Sequence, residues 1–407
     1  MEITNSRDER QTQALKAWAA SGFRGTILGA TGFGKTRVGL RAIKWFLSKN
    51  PKADVMVVVP TIYLKTQWEG LLKEWELSDV KVWVINSVIK QEHKVDFLII
   101  DEIHVLGADE FFQAFKKIDY KVIMGLTATI ERLDGKETLI KRFTPICEEI
   151  SLKECIENKW LAPFREYKVL LDVDLTEYKK MTEEFIGHFS FFNYDFTVAM
   201  SMLGNIINRR SYAKNNFLSN KEVDLHTFGF NRAMQGRKKF IFNHPFKVLI
   251  AQEILAFREN CKAITFSQSI ETANSIGGLV IHSKLTAKKR TAVETEFKTA
   301  KIGVLNSIKT IELGADIEGV NLGIILCGTS SAISNYQRKG RAIRLEGNKT
   351  SEIFHLILRG TVEEEWFRKA SKDVDITTID EEQLKLVLNN EEIEDKVHKE
   401  NKFLFRF

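Results

Sequence analysis

The sequence predicts an α/β protein: two domains built on parallel sheets flanked by helices, a mainly helical insertion between them, and a charged C-terminal tail. Three observations carry this expectation. A glycine-rich loop, Gly29-Ala30-Thr31-Gly32-Phe33-Gly34-Lys35-Thr36, stands between a short apolar run and a stretch of helical periodicity. Short apolar runs recur at 55–59, 96–100 and 122–126, and again at 261–267, 302–306 and 322–327, as strands buried on both faces require. Between the two series, residues 176–243 hold few such runs and read as mostly helical. The expected division is a first domain over 1–149, linker and insertion over 150–244, a second domain over 245–369, and a tail over 370–407.

At 407 residues the chain exceeds one ordinary core. A hydrophobic fraction of 44% with 28% charged residues fits a globular protein able to bury sizeable cores. The net charge of +6 is compatible with a polyanionic partner. Acidic residues gather late, at Glu363-Glu364-Glu365 and around Glu391 to Asp395, so the remainder is more basic than the total. Cys147, Cys155, Cys261 and Cys327 lack C-x-x-C spacing, which argues against a zinc site or a disulfide framework and for reduced thiols. No apolar run of about 18 residues is present. A cytosolic protein, neither secreted nor membrane-spanning, is expected.

Taken in order, residues 5–20 read as a helix with Ala14, Leu15, Trp18 and Ala19 on its apolar side. Gln11 within it is a candidate reader of an adenine edge. Gly25 to Leu28 reads as a buried strand, and Arg37 to Leu47 as a helix. The loop between them fits G-x-x-x-x-G-K-[ST], a pattern that cradles nucleotide phosphates: glycines allow a tight turn that aims backbone N–H groups inward. Lys35 can reach the β- and γ-phosphates, and the Thr36 hydroxyl can ligate Mg²⁺. The candidate nucleotide contacts are therefore Gln11, Gly29, Ala30, Thr31, Gly32, Phe33, Gly34, Lys35 and Thr36.

The strand Val55 to Val59 is stopped by Pro60, and Thr61 can cap the following helix, which carries Leu64, Trp68, Leu71 and Leu72. The strand Asp96 to Ile100 ends in Asp101-Glu102-Ile103-His104. An acid directly after a strand can hold Mg²⁺ opposite the loop threonine, which is the role for Asp101. Glu102 can orient or deprotonate an attacking water, and His104 can report the state of the γ-phosphate. A further strand at Val122 to Leu126 leads into Thr127-Ala128-Thr129, whose hydroxyls can join the acidic cluster to a neighbouring domain.

A strand is expected at 167–173 within the linker region. The insertion holds an aromatic patch, Phe185, Phe189, Phe191, Phe192, Tyr194 and Phe196, beside the basic clusters Arg209-Arg210 and Arg237-Lys238-Lys239. Aromatics next to basic residues can stack bases and neutralise phosphates; a helical core with a solvated charged face is the other reading of the same pattern. The second domain has no phosphate loop of its own. It carries Tyr336 to Arg344, where Arg338, Arg341 and Arg344 fall on one helical face. Such a cluster calls for an anion, and the γ-phosphate of a nucleotide held by the first domain would serve.

In this order the motifs resemble those of superfamily 2 helicases and translocases, with two RecA-like domains. The resemblance runs from about Arg10 to Arg344: Gly29 to Thr36 (motif I), Val59-Pro60-Thr61 (Ia), Asp101 to His104 (II), Thr127 to Thr129 (III), Thr265-Phe266-Ser267 (IV), Glu312 to Asp316 (V) and Gln337 to Arg344 (VI). It implies ATP and Mg²⁺ as cofactors, Arg341 and Arg344 as arginine fingers, and nucleotide contacts from Gly314, Asp316 and Gln337. It implies nucleic-acid contacts near Thr61, Ser267 and Thr310. The acidic run DEIH lies on the DExH side of the superfamily, and Leu126 to Gly135 resembles the matching stretch of XPB-like and phage UvsW-like branch-migration helicases. Their Arg-Glu-Asp element falls on Arg132-Leu133-Asp134, where leucine replaces glutamate. The expectation is an ATP-dependent DNA helicase or translocase, a compact phage or mobile-element enzyme working as a monomer in the host cytoplasm beside replication or recombination proteins. An RNA-dependent ATPase and an ATP-gated clamp without unwinding are the rival readings.

Overall fold

The computed structural model describes residues 2–30, 32–104, 109–130, 137–161, 164–308, 319–328, 350–371 and 376–393. Two sheets organise them, and every strand pairing is parallel. The first sheet contains β1 (Arg24–Gly29), β2 (Val55–Val59), β3 (Lys81–Val84), β4 (His93–Asp101), β5 (Ile118–Thr127) and β6 (Ile146–Ile150), in the order β3-β2-β4-β5-β1-β6. A parallel sheet needs a crossover between neighbours, and helices supply it. They are α1 (Glu2–Ala20), α2 (Lys35–Lys49), α3 (Ile62–Glu74), α4 (Ile85–Val88), α5 (Asp109–Lys117), α6 (Glu137–Phe143) and α7 (Leu152–Glu157). Val55 to Val59 is buried along its whole length, as a central parallel strand demands. The expected cap is present: Thr61 Oγ1 accepts from Leu64 N–H at 3.2 Å and starts α3.

The first core runs beyond the expected boundary at Glu149. Cys155, Trp160 and Leu161 are buried in it with Trp18, Phe33 and Trp68. Arg10 secures this extension by ion pairs to Glu148 at 2.8 Å and Glu154 at 2.6 Å. All four cysteines are free thiols, and burial pushes Cys147 and Cys155 up to about 11, so neither is a reactive thiolate.

The second sheet has the order β13-β7-β12-β11-β8-β10-β9. Its strands are β7 (Phe164–Leu171), β8 (Lys262–Ser267), β9 (Leu279–Ile281), β10 (Gly303–Ile308), β11 (Leu322–Ile325), β12 (Ser351–Leu358) and β13 (Thr377–Ile379). Two of these lie outside the span 245–369. β7 pairs with β12 over eight residues, although it precedes the insertion in sequence, and β13 of the tail pairs with β7. The flanking helices are α12 (Pro245–Phe257), α13 (Ile270–Ile276), α14 (Ala287–Thr299), α15 (Val362–Ala370) and α16 (Glu381–Leu388). In α16, Leu384, Val387 and Leu388 are buried in the second core, so this part of the tail packs on the second domain. Tyr63 of α3 packs against the second-sheet cluster that includes Ile264 and Phe266.

Between β7 and α12 stand α8 (Thr176–Ser190), α9 (Phe196–Met202), α10 (Ile206–Asn215) and α11 (Asn220–Phe242). Their shared core contains Phe185, Phe189, Phe192 and Phe230.

One ion pair lies wholly inside the second domain. Lys247 and Glu363 are both fully buried, with Nζ 2.8 Å from each carboxylate oxygen. Lys247 also donates to Leu326 O at 2.8 Å, and Glu363 accepts from Leu358 N–H at 3.1 Å. Burial opposes both charges: it lowers Lys247 and raises Glu363, and their mutual attraction and hydrogen bonds resist this. Lys247→Ala, which strands a buried carboxylate, is therefore expected to cost about 3–5 kcal/mol. The joint replacement Lys247→Met with Glu363→Leu should cost much less. Urea denaturation midpoints of the two variants check this.

Candidate nucleotide site

The site forms where three neighbouring strands end. In the order β4-β5-β1, Asp101 lies in register with Leu126, and Thr127 with Leu28. The phosphate loop, the acidic run and Thr127 thus leave the sheet side by side at its carboxyl edge, where ligands of such sheets bind.

The loop has the backbone its sequence requires. Gly32 and Gly34 have φ of 92° and 93°, in the left-handed region that glycine enters without penalty. Space is tight at both as well: a Cβ on Gly32 would press on Leu161 Cδ2, and one on Gly34 would meet Gln11 Nε2 at 2.7 Å. Phe33 is fully buried and anchors the loop to the core, while Ala30 is buried beside it. Lys35 Nζ donates to Gly29 O at 3.0 Å, folded back over the loop it serves. Thr36, in the first turn of α2, is partly exposed. Thr31 lies outside the described residues.

Gln11 is 1% exposed and donates through Nε2 to Phe33 O at 2.9 Å. Its Oε1 is buried with no hydrogen-bond partner among the described residues. A buried acceptor beside a phosphate loop suits the exocyclic amino group of adenine. Arg7, one helical turn earlier, donates to the carbonyls of Gly32 and Phe33. Sequence reasoning missed it, because a lone arginine in a charged run carries no pattern.

Asp101 is 6% exposed. Its Oδ2 accepts from the Trp68 indole N–H at 2.9 Å and its Oδ1 from Glu102 N–H at 3.0 Å. Burial first, then the charge of Glu102, push its carboxyl up to about 6; the Trp68 hydrogen bond and the charge of Lys35 pull the other way. Glu102 has φ of 51°, a left-handed value that is rare for a residue with a side chain. His104 Nδ1 lies 2.9 Å from Thr127 Oγ1 and 3.3 Å from Glu102 Oε2. Thr127 donates its own proton to Thr129 O at 2.7 Å, so it accepts from His104 and selects the Nδ1–H tautomer. The sequence predicts that the hydroxyls of Thr-Ala-Thr join the acidic cluster to a neighbouring domain; here Thr127 instead links to the acidic run through His104, inside the first domain. An ammonium, a hydroxyl and a buried carboxylate suit a triphosphate with Mg²⁺, a cation that prefers oxygen donors.

Several expected contacts are placed differently. Phe192 is 1% exposed in the core of the helical insertion and cannot stack a base; an aromatic run at helical spacing builds a core as readily as a platform. Arg209 is buried, pairing with Asp224 at 2.7 Å and donating to Met202 O, and Arg210 pairs with the same carboxylate at 2.8 Å. Arg237 lies over the rings of Tyr178 and Phe185. These arginines bind the insertion's own helices together rather than presenting a phosphate-binding row. Lys238 is partly exposed and Lys239 exposed on α11. Ser267, at the end of β8, is 1% exposed, so its buried side chain is not a surface contact; Thr61, partly exposed, accepts the α3 cap hydrogen bond and keeps its hydroxyl proton to donate. The chain leaves β10 at Ile308 and β11 at Ile325, on either side of β8. The expected residues Thr310, Gly314 and Asp316 follow the first strand, and Gln337, Arg338, Arg341 and Arg344 the second; all of these, with Arg132 to Asp134, lie outside the described residues.

The Asp101 environment has a measurable sign. Its folded value of about 6 exceeds the ordinary 3.8, so between these values the folded state holds more protons and stability falls as pH rises. Asparagine carries no such penalty. Asp101→Asn loses one of the two acceptor contacts at every pH but does not titrate, so in metal-free buffer its stability relative to the parent should rise by on the order of 2 kcal/mol from pH 4 to neutral pH. Denaturant unfolding at the two pH values is the check.

Two family profiles match. "Helicase conserved C-terminal domain" covers residues 244–346, and "Type III restriction enzyme, res subunit" covers 5–95 and 85–132. The DNA 3'-5' translocase XPB2 of Sulfurisphaera tokodaii is 25% identical over 376 residues, 87% of this chain and 82% of that protein. Putative helicase 22 of Sulfolobus islandicus filamentous virus is 23% identical over 381 residues, 83% of this chain and 62% of that protein. Among solved structures, Saccharomyces cerevisiae Dbp5 bound to RNA and ADP BeF3 superposes with a TM-score of 0.59 at 12% identity, covering 93% of this chain and 91% of that chain. That likeness shows the fold alone: two RecA-like domains. With the phosphate loop, the acidic run and their geometry, these matches make the chain a member of the superfamily 2 helicases and translocases, of the DExH type and XPB-like, and an ATP-hydrolysing enzyme.

Proposed function

We propose that the protein is an ATP-driven motor on DNA that unwinds or remodels forks and branched junctions in replication, recombination or repair. The observation that carries this reading is the convergence of Lys35, Asp101, Glu102 and the His104–Thr127 link on one sheet edge. Alignment of most of the chain with a protein named as a DNA translocase favours DNA as the track. The phosphate loop and Lys35 bind the triphosphate, and Gln11 selects its base through Oε1. Thr36 and Asp101 hold Mg²⁺, which when bound neutralises charge on the phosphates. Glu102 orients or deprotonates the water. Arg341 and Arg344 of the second domain complete the site when the lobes close, and their loss of the γ-phosphate lets the lobes part. Alternation between these states, with nucleic acid gripped differently in each, becomes stepping. Lys238 and Lys239 add salt-sensitive affinity. The protein acts as a monomer in the cytoplasm, that of the host if phage-encoded.

Lys35→Ala is expected to lower the ATPase rate by at least about a hundredfold while leaving the far-ultraviolet dichroism unchanged. Normal turnover would remove the nucleotide reading. ATPase measured side by side with duplex DNA, forked DNA and single-stranded RNA should rise most with forked DNA. Greater stimulation by RNA would make the protein an RNA-dependent ATPase, and nucleic-acid binding without strand separation or movement would make it a clamp.

A further inference from the structure

Trp68 lies on α3, outside the phosphate loop and the acidic run, yet it touches both sides of the site. Its side chain is 1% exposed. Its indole N–H is aimed at Asp101 Oδ2 at 2.9 Å, across 33 residues of sequence. The opposite rim of the ring lies against α2, the helix that begins at Lys35. That helix makes room for it: a Cβ on Gly39 would meet Trp68 Cη2 at 2.8 Å and Cζ2 at 3.6 Å. The indole is thus wedged between the helix of the phosphate loop and the carboxylate that faces it.

A carboxylate can turn about its Cβ–Cγ bond and offer either oxygen. Here one oxygen takes the Trp68 N–H and the other takes the Glu102 N–H at 3.0 Å, so two donors fix the plane of the group. Indole suits this task chemically. It donates one hydrogen bond, accepts none, does not titrate and does not compete for a cation. It also reaches from a neighbouring helix without adding charge to a site that already holds two acids. Groups in this relation to a metal-holding carboxylate set its orientation, and their loss weakens metal affinity by about ten- to a hundredfold.

We propose that Trp68 is a positioning residue for Mg²⁺: its indole N–H holds the Asp101 carboxylate in the orientation that receives the metal of the bound nucleotide. This rests on Asp101 as the metal-holding acid. The consequence is a separation of two affinities. Nucleotide binding without metal depends on the phosphate loop and Gln11 and is untouched by Trp68. The gain in affinity that Mg²⁺ confers passes through Asp101 and is lost with the indole N–H.

The experiment is a titration of a fluorescent ADP analogue, in EDTA and then across Mg²⁺ concentrations, without nucleic acid or turnover. The variants are Trp68→Phe and replacement of Trp68 by benzothienylalanine, which keeps the bicyclic shape and lacks the N–H. With both, analogue binding in EDTA should stay within about twofold of the parent, and the Mg²⁺ concentration for half-maximal tightening should rise about tenfold. If the benzothienylalanine protein keeps the parental Mg²⁺ dependence, the N–H merely finds a nearby acceptor and the inference fails, whatever Trp68→Phe does. Asp101→Asn separates this failure from a deeper one. A shift with Asp101→Asn but not with the tryptophan analogue overturns only the role of Trp68; no shift with Asp101→Asn overturns the reading of Asp101 itself.

Discussion

A carboxylate held inside a protein must be kept ionised against its surroundings, and Asp101 is the group on which the first domain turns. Burial and the neighbouring Glu102 oppose its charge, while the Trp68 indole and Lys35 favour it. The balance depends on long-range architecture. Lys35 arrives from β1 and Trp68 from the helix after β2, two strands that flank the β4-β5 pair in the sheet. Only a parallel sheet with its crossovers brings these three chain segments to one edge. The loop glycines and the buried Phe33 keep that edge tight enough for the charges to act on one another.

The second domain solves a related problem by pairing. Lys247 and Glu363 neutralise each other out of reach of water, and His355 meets Glu166 at 2.6 Å between β12 and β7. The lysine also holds the carbonyl of Leu326, at the point where the chain leaves β11 toward the arginine-bearing segment. The glutamate holds the end of β12. One buried pair therefore fixes the ends of two adjacent strands. The His355–Glu166 contact does the same for the union of β7 with its neighbour, the strand the chain lays down before the insertion.

Local pattern was enough for much of this. The phosphate loop is a contiguous string whose glycines answer to backbone angles, and Val55 to Val59 is apolar throughout because both faces are covered. The cap at Thr61 follows from one hydroxyl placed before a helix. What local pattern did not carry is pairing at a distance. Nothing in Tyr167 to Leu171 or Thr377 to Ile379 announces that these runs join a sheet whose other strands lie on the far side of the insertion. Trp68 read as one apolar position among several on α3, since periodicity reports burial and not where an N–H points. Phe192, Arg209 and Arg210 mark the converse limit. Rings and guanidinium groups close in sequence describe a nucleic-acid platform and a cation-braced helical core equally well. Only the fold showed that Asp224 had claimed the two arginines.

The left-handed backbone at Glu102 has a consequence for how this chain could be altered. A residue with a side chain in that region carries strain of about 1–3 kcal/mol, and glycine would relieve it. Glycine has no carboxylate. With the role proposed for Glu102, durability and turnover pull this one position in opposite directions. On that proposed role, a version of the protein refined for heat resistance alone would drift toward an inert relative at residue 102, still folded, still able to hold a nucleotide, and no longer able to spend it.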